Sequence, residues 1–198
     1  MYKTRLGPTT FVFPMPAFLV GSNINSRPNF LTAAWGSMAC GTPPMVSIAI
    51  NHSRYTLEGI KENGVFSVCV PSVEQVTEVD CCGLYSGSHY DKVAACKFKT
   101  FYGELLQAPM IEQCPICLEC RVVQMPDLGG HVLVIGEIIE TYVDKDCLTD
   151  GKPDVRKIRP LIYSSGNKKE YFSFGESIAP AYSKGKELKE RLNEHRVD

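Results

Sequence analysis

The segment between Asn29 and Lys92 decides how this chain is interpreted. It opens with NFLTAAWGS at positions 29–37, continues through an apolar strand to NHSRYT at 51–56, and closes with SGSHYDK at 86–92. Small residues, the single tryptophan of the chain, hydroxyl groups and a few cations recur there at the ends of apolar runs. That combination of groups suits a flat aromatic ligand that carries a phosphate tail.

Length and composition predict an ordinary globular protein. The chain has 198 residues, of which 44% are hydrophobic and 22% are charged, so it can bury a sizeable core. Its net charge of -1 provides no basic surface for nucleic acid. The first residues lack the apolar core of a signal peptide, and no apolar run approaches the roughly 20 residues that span a bilayer. We therefore expect a soluble, cytoplasmic protein with neither nucleic-acid nor membrane partners.

The nine cysteines favour reduced thiols over disulfides, because their number is odd and the chain is larger than a small secreted scaffold. Cys114, Cys117 and Cys120 form a CxxCxxC motif, whose spacing could ligate zinc or part of an iron–sulfur cluster. However, the motif runs into a predicted strand, where Cys114 and Cys120 would share one face and Cys117 would point to the other. Buried or half-buried thiols are the favoured interpretation, and no metal is predicted.

Alternation of large and small residues predicts a series of short strands. A hairpin is expected from strands over 17–23 and 30–37, separated by the turn-forming residues 25–28. Further strands are expected over 45–50, 65–70, 116–125 and 131–143, with a last one in 160–166.

Helical signals are short and lie between these strands. A helix that Ser53 or Thr56 could cap should end at Asn63-Gly64, and a second should cover 72–84. Residues 144–159 predict an exposed loop, and the charged sequence over 183–196 predicts a helical extension. Together these elements predict a mainly β protein with short helices, built as a small antiparallel barrel in one domain over 1–198, with its core at about 10–165.

An anion site is predicted at Ser53, Arg54 and Thr56. Hydroxyl groups and free backbone N–H groups at a helix N-terminus, beside an arginine, attract phosphate. A plain N-cap would explain the two hydroxyl residues equally well.

Three other residues are weaker candidates when each is taken alone. Trp35 lies among small residues, but an isolated tryptophan is usually a core aromatic. His131 follows two glycines at the start of a strand, where a histidine is usually a capping or surface residue. Lys92, next to Asp91, could simply be solvated.

As an ordered series, these motifs resemble the flavin reductase-like family, and most closely its flavoredoxin-type members. The series comprises RPNFLTAAW at 27–35, PPMVSI at 43–48, RYT at 54–56, GVFSV at 64–68, and Ser86-Gly87 with Asp91-Lys92. The resemblance covers about residues 10–165. It implies a Greek-key split β-barrel that binds FMN noncovalently, in a homodimer with the flavin near the subunit interface.

The resemblance also implies roles for individual residues. Ser53, Arg54 and Thr56 would neutralise the FMN phosphate, and Lys92 or His131 would place positive charge near the flavin N1. The loop over 38–41 would lie near the reactive edge of the ring. The remaining cofactor-binding residues that it implies are a polar anchor, a flat apolar wall, a hydroxyl and a late aromatic: Asn29; Thr32, Ala33, Ala34 and Trp35; Ser86; and Tyr163.

Three functions follow from these patterns. The first is an oxidoreductase in which FMN accepts electrons from NAD(P)H or a protein donor and passes them to a small-molecule or protein acceptor. No GxGxxG motif follows a strand, so a nicotinamide would bind transiently over the flavin. The second is an FMN electron carrier that binds no nicotinamide. The third, a metal–thiolate protein built on the CxxCxxC motif, is the least favoured.

Overall fold

The computed structural model describes residues 2–196, and within them no helix is long and apolar enough to cross a membrane. The strands are β1 (Met15–Pro16), β2 (Phe18–Ile24), β3 (Arg27–Ala33), β4 (Gly36–Gly41), β5 (Pro44–Asn51), β6 (Val65–Val70), β7 (Thr100–Phe101), β8 (Met110–Ile111), β9 (Ile116–Gln124), β10 (His131–Val143), β11 (Leu148–Thr149), β12 (Lys152–Pro153), β13 (Ile162–Ser164) and β14 (Glu170–Phe172). The α-helices are α1 (Thr56–Asn63), α2 (Val76–Leu84), α3 (Lys92–Ala95), α4 (Val155–Ile158) and α5 (Lys189–Glu194). The predicted domain, 1–198, includes Met1, Val197 and Asp198, which lie outside the described residues.

The main sheet of the described chain closes into a barrel. Its seven strands are antiparallel and run in the order β3-β2-β6-β9-β10-β5-β4. If the sheet were flat, its edge strands would lie roughly 29 Å apart, at about 4.8 Å per strand. Yet these two strands, β3 and β4, are joined by only Ala34 and Trp35, which reach about 11 Å at most. The sheet must therefore curl until its two edges approach each other.

The order of the strands gives the barrel a Greek-key connectivity. β6 pairs with β2, and β5 pairs with β10, although neither pair is consecutive in the chain. The β2–β3 hairpin turns through Asn25 and Ser26, whose φ angles of 50° and 60° suit a two-residue turn matched to the strand twist. The predicted hairpin and barrel are both confirmed.

Both faces of β2 and β6 are buried, so that successive side chains of these strands enter two different clusters. Val20 and Phe66 belong to the interior cluster of apolar side chains. Leu19 and Cys69, on the same two strands, belong to an outer cluster that includes residues of α2 and β8. Each fully buried large apolar side chain contributes about 1.5–3 kcal/mol. The outer cluster fixes α2 against β3, at the end of the barrel where the cavity described below opens.

Helix α1 ends as predicted but begins differently. Its C-cap is Gly64, with a left-handed φ of 65°. Neither predicted cap is used, because both hydroxyl groups have other partners. The Ser53 hydroxyl donates to Asn51 Oδ1 at 2.8 Å, and the Thr56 hydroxyl accepts from Asn29 Nδ2 at 2.6 Å.

Three further predictions about local structure were wrong. The strand expected over 30–37 breaks at Ala34 and Trp35, so that 38–41 belongs to β4 and not to a loop. Residues 144–159 contain β11, β12 and α4, which bury Cys147 and Ile158. The last strand was expected in 160–166, but β13, which lies there, pairs with a further strand, β14. By contrast, the helix expected over 72–84 is present, entered through a capping box between Ser72 and Gln75.

The cysteines of the CxxCxxC motif are buried, as predicted, but their arrangement differs from the prediction. Strand β9 begins at Ile116, so Cys114 precedes it and does not follow the alternation of the strand. Cys114 packs with Cys117 in the outer cluster, whereas Cys120 points into the interior. Burial, and then a hydrogen bond with Cys114, raise the pKa of Cys69 well above its usual range. A hydrogen bond with Cys69, and then burial, do the same to the pKa of Cys117.

Candidate functional site

A cavity of about 390 Å³ opens where β3 gives way to β4. Its walls come from that bend, the segment before α1, the end of α2, the start of β10 and the β13–β14 hairpin. This volume lies in the range of small-molecule sites. We call it the first cavity.

One wall of the first cavity is made largely of small side chains. Thr32, Ala33 and Ala34 line it, and the chain is held there by two hydrogen bonds. The Thr32 hydroxyl donates to the carbonyl of Val79 in α2, and the Trp35 carbonyl accepts from the N–H of Ala49 at 2.8 Å. The bend therefore presents a fixed surface that a planar molecule could approach closely.

Two aromatic rings lie at the edge of this wall. Trp35 is 42% exposed, and its ring centroid is 4.8 Å from that of His131, with 33° between the planes. His131 is placed there by its pairing with Asn51 across β10 and β5. Asn51 Nδ2 also donates to the Gly130 carbonyl at 3.1 Å, which fixes the chain just before His131.

Arg54 brings a positive charge to the first cavity. Its guanidinium donates to the Gly83 carbonyl at 2.9 Å, which links the segment before α1 to the end of α2. The side chain is exposed and retains further N–H donors for an anion.

The β13–β14 hairpin supplies the opposite side of the cavity. Tyr163 and Tyr171 pair across the hairpin, with ring centroids 5.7 Å apart. The Tyr171 hydroxyl donates to Asp80 Oδ1 of α2 at 3.0 Å. Burial, and then this hydrogen bond, raise the pKa of Tyr171. The phenol therefore keeps its proton and ties the hairpin to α2.

Asn29 and Lys92 lie instead on a second cavity of about 960 Å³. The Asn29 side chain is buried between Thr56 and Gly87, where a Cβ on Gly87 would collide with it. The Lys92 ammonium is also buried and donates to the carbonyls of Tyr85 at 3.0 Å and Cys82 at 3.4 Å. Burial lowers the pKa of Lys92. In the structure this lysine holds the end of α2.

The structure thus brings together most, but not all, of the predicted site residues. Those that line the first cavity are Thr32, Ala33, Ala34, Trp35, Arg54, His131 and Tyr163. Asn29 and Lys92 line the second cavity, and Ser53, Thr56 and Ser86 line neither. The Ser86 hydroxyl is 2.8 Å from that of Ser88.

Some lining residues were not predicted from the sequence. Asn51 carried a usable signal, because an asparagine between a strand and a turn often fixes the local backbone. Asp80, Lys169 and Tyr171 carried none, since only the packing of α2 beside the β13–β14 hairpin brings them to the cavity.

The chain belongs to the flavin reductase like domain family, whose model matches residues 10–171. The fold is the split barrel of its structural neighbours. A flavoredoxin from Methanosarcina acetivorans is 39% identical, with a TM-score of 0.91 over 95% of this chain and 100% of that one. The flavoredoxin of Desulfovibrio vulgaris (Miyazaki F) is 36% identical, with a TM-score of 0.87 over 93% and 100%. A ferric-chelate reductase (NAD(P)H) from Archaeoglobus fulgidus is 28% identical over 65% of this chain and 76% of its own length.

Proposed function

We propose that the first cavity binds FMN noncovalently and that the protein is an FMN-dependent oxidoreductase. Electrons would pass from NAD(P)H or a protein donor, through the bound FMN, to a small-molecule or protein acceptor. The observation that carries this proposal is the shape and charge of the cavity. It has a wall of small residues, a tryptophan beside that wall and an anchored arginine.

The residues of the first cavity fit the parts of FMN. Thr32, Ala33 and Ala34 would face the isoalloxazine ring, and Trp35 would exclude water from its edge. Arg54 would bind the phosphate through the donors that Gly83 leaves free. When bound, FMN supplies hydride and single-electron chemistry, and the protein supplies orientation and electrostatics.

The remaining predicted site residues are proposed to have different roles. His131 lines the first cavity and is the candidate for positive charge or hydrogen bonding near N1, while Tyr163 would cover the ring from the β13–β14 hairpin. Ser53 and Ser86 would extend the phosphate site, since both are near it in the chain. Asn29, Thr56 and Lys92 form buried hydrogen bonds and would hold the surrounding segments in place.

The relatives support both an enzyme and a carrier. The two flavoredoxins favour electron transfer through bound flavin, and the ferric-chelate reductase (NAD(P)H) favours a nicotinamide donor. The open mouth of the cavity, beside the exposed Trp35, favours the enzyme because a second flat molecule could reach the ring there. The free state of all nine cysteines supports a cytoplasmic location.

The donor is tested by adding NADH or NADPH anaerobically to the FMN-loaded protein. We expect the flavin absorbance to bleach. Persistent absorbance that only a reduced iron–sulfur protein bleaches would support the carrier and contradict the enzyme. Trp35→Ala should slow bleaching, whereas Phe174→Ala, which changes an exposed aromatic outside the cavity, should not.

We also propose a homodimer in which a second copy covers the surface around β4. Residues 37–41 of this strand are exposed, and the apolar side chain of Met38 is 61% exposed. Exposed apolar surface of this kind marks interfaces. Light scattering after gel filtration should give a dimer that Met38→Asp dissociates. Val155→Asp, at an exposed site on α4, is the control, and a monomeric wild type would contradict the proposal.

A further inference from the structure

The second cavity is larger than the first and is built from different segments. It lies between the β2–β3 hairpin, the residue before α1, and residues 87–98. The proposed FMN chemistry makes no use of its outer part. The side chains that line this part include the cations Arg27 and Lys97 and the aromatics Tyr55 and Tyr90.

Two of its cations have no internal partner. Arg27 begins β3, and Lys97 follows α3, so they reach the cavity from different segments of the chain. Within residues 2–196, neither side chain takes part in an ion pair. The carboxylate of Asp91 also lines the cavity, but it accepts from the N–H of Ala94 at 2.9 Å and caps α3. The three cations of the lining, Arg27, Lys92 and Lys97, outnumber this one carboxylate, so the cavity carries net positive charge.

The position of Lys97 is set by an uncommon backbone. Its φ is +52°, in the left-handed region that glycine or asparagine usually occupies after a helix. The Lys97 N–H donates to the carbonyl of Ala94 at 3.1 Å, and the Lys97 carbonyl accepts from Gln113 Nε2 at 2.9 Å. These bonds hold the backbone from which the Lys97 side chain reaches the lining of the cavity.

Two tyrosines add flat apolar surface to the same cavity. Tyr55 is half-buried, and Tyr90 is 57% exposed. The ring of Tyr90 meets Tyr85 edge to face, with centroids 5.3 Å apart, which steadies it. His89 provides a further hydrogen-bonding group beside it.

We propose that the second cavity binds a nucleoside phosphate. The base would stack on Tyr55 or Tyr90, and the phosphate would lie between Arg27 and Lys97. Neither feature alone selects this class, since cations accept any anion and tyrosines accept many flat rings. The two together fit a planar ring joined to a phosphate. The inference does not depend on FMN in the first cavity.

The test is calorimetric titration of AMP into the protein already loaded with FMN. We expect AMP to bind while the flavin stays bound. Arg27→Ala and Lys97→Ala should each weaken AMP binding by about tenfold, since each removes one charged contact to the phosphate. Lys99→Ala, an exposed lysine two residues further on, is the matched control and should leave AMP affinity unchanged.

Adenosine and inorganic phosphate distinguish the two halves of the ligand, and we expect both to bind at least about tenfold more weakly than AMP. Absence of AMP binding, or wild-type affinity in both variants, overturns the proposal. Equal binding of adenosine, or of inorganic phosphate, overturns the assignment to nucleoside phosphates. Release of FMN by AMP would mean that the second cavity is part of the flavin site, and this result would also overturn the proposal. If the protein retains no FMN, the proposed function fails. The same titration on the flavin-free protein still decides whether the second cavity binds AMP.

Discussion

The guanidinium of Arg54 is held over the first cavity by a single backbone carbonyl, that of Gly83. Its remaining donors would meet the phosphate of FMN. A hydrogen bond to a charged group contributes about 1.5–3 kcal/mol, so Arg54→Ala should weaken FMN binding by about tenfold or more. Equilibrium dialysis measures this change. Arg121→Ala, at an exposed position of β9, is the control, and equal affinity in the two variants would remove Arg54 from the site.

Glu119 is fully buried in β9, and its carboxylate is satisfied by three donors. The N–H groups of Glu104 and Leu105 donate to it at 3.2 and 3.0 Å, and the Tyr142 hydroxyl does so at 3.0 Å. Glu119→Ala would leave these donors unpaired. We expect the free energy of unfolding, measured in urea, to fall by roughly 3 kcal/mol. Glu62→Ala, on the exposed face of α1, should change it little; a similar loss in both variants would contradict this account.

The hydrogen bond from Tyr142 to Glu119 makes the stability of the fold depend on pH. Burial, and then the hydrogen bond to Glu119, raise the pKa of Tyr142 to about 12, against about 10 in an unfolded chain. Between these values the unfolded chain loses the phenolic proton first, so folding loses stability as pH rises. The stability advantage of the wild type over Tyr142→Phe should be full below pH 10 and shrink towards pH 12. Tyr182→Phe, at an exposed site, is the control, and an advantage independent of pH would contradict the assignment.

At the scale of elements, the bend at Ala34 and Trp35 matters most for the site. It separates β3 from β4, closes the barrel and forms the small-residue wall of the first cavity. The sequence predicted one strand over 30–37, because no local pattern marks a break at Ala34 and Trp35. A break between strands depends on which partner pairs with each half, and that is tertiary information.

Gly136 in strand β10 lies where the interior of the barrel is tightly packed. A Cβ on Gly136 would overlap the ring of Phe66, which fills the interior. Gly136→Ala should therefore lower the free energy of unfolding by about 1–3 kcal/mol. Gly130→Ala, just before the same strand, meets nothing within 4 Å and should be nearly neutral. Thermal or urea unfolding compares them, and a neutral Gly136→Ala would show that the interior tolerates an extra methyl group.

Most of the strands, and both main helices, were predictable because their signals are local. Alternation marks β5 and β9, strong β propensity marks β10, and Asn63-Gly64 marks the end of α1. The N-terminal cap of α1 was mispredicted because the hydroxyl groups of Ser53 and Thr56 bond to asparagines instead. Competition of this kind is decided by packing, which no local pattern records.

For the whole molecule, the series of motifs predicted the family and its fold, whereas the division of the site into two cavities was not foreseen. Asn29 and Lys92 belong to the same motifs as Trp35 and Arg54, yet they lie on the second cavity. The cause is the loop at Ser86 and Gly87, which packs on Asn29. Residues that are close together in the sequence motifs can therefore face different cavities, and the sequence does not specify which cavity each one faces.

The most direct test of the central claim, that the first cavity binds FMN, is FMN retention measured together with tryptophan fluorescence. Trp35 is the only tryptophan in the chain and lines that cavity, so flavin bound there would lie beside it and quench its emission. The protein is equilibrated with FMN and freed of unbound flavin by gel filtration. We predict a stoichiometric amount of retained flavin and strong quenching of Trp35. Loss of all flavin, or retention without quenching, would contradict the account.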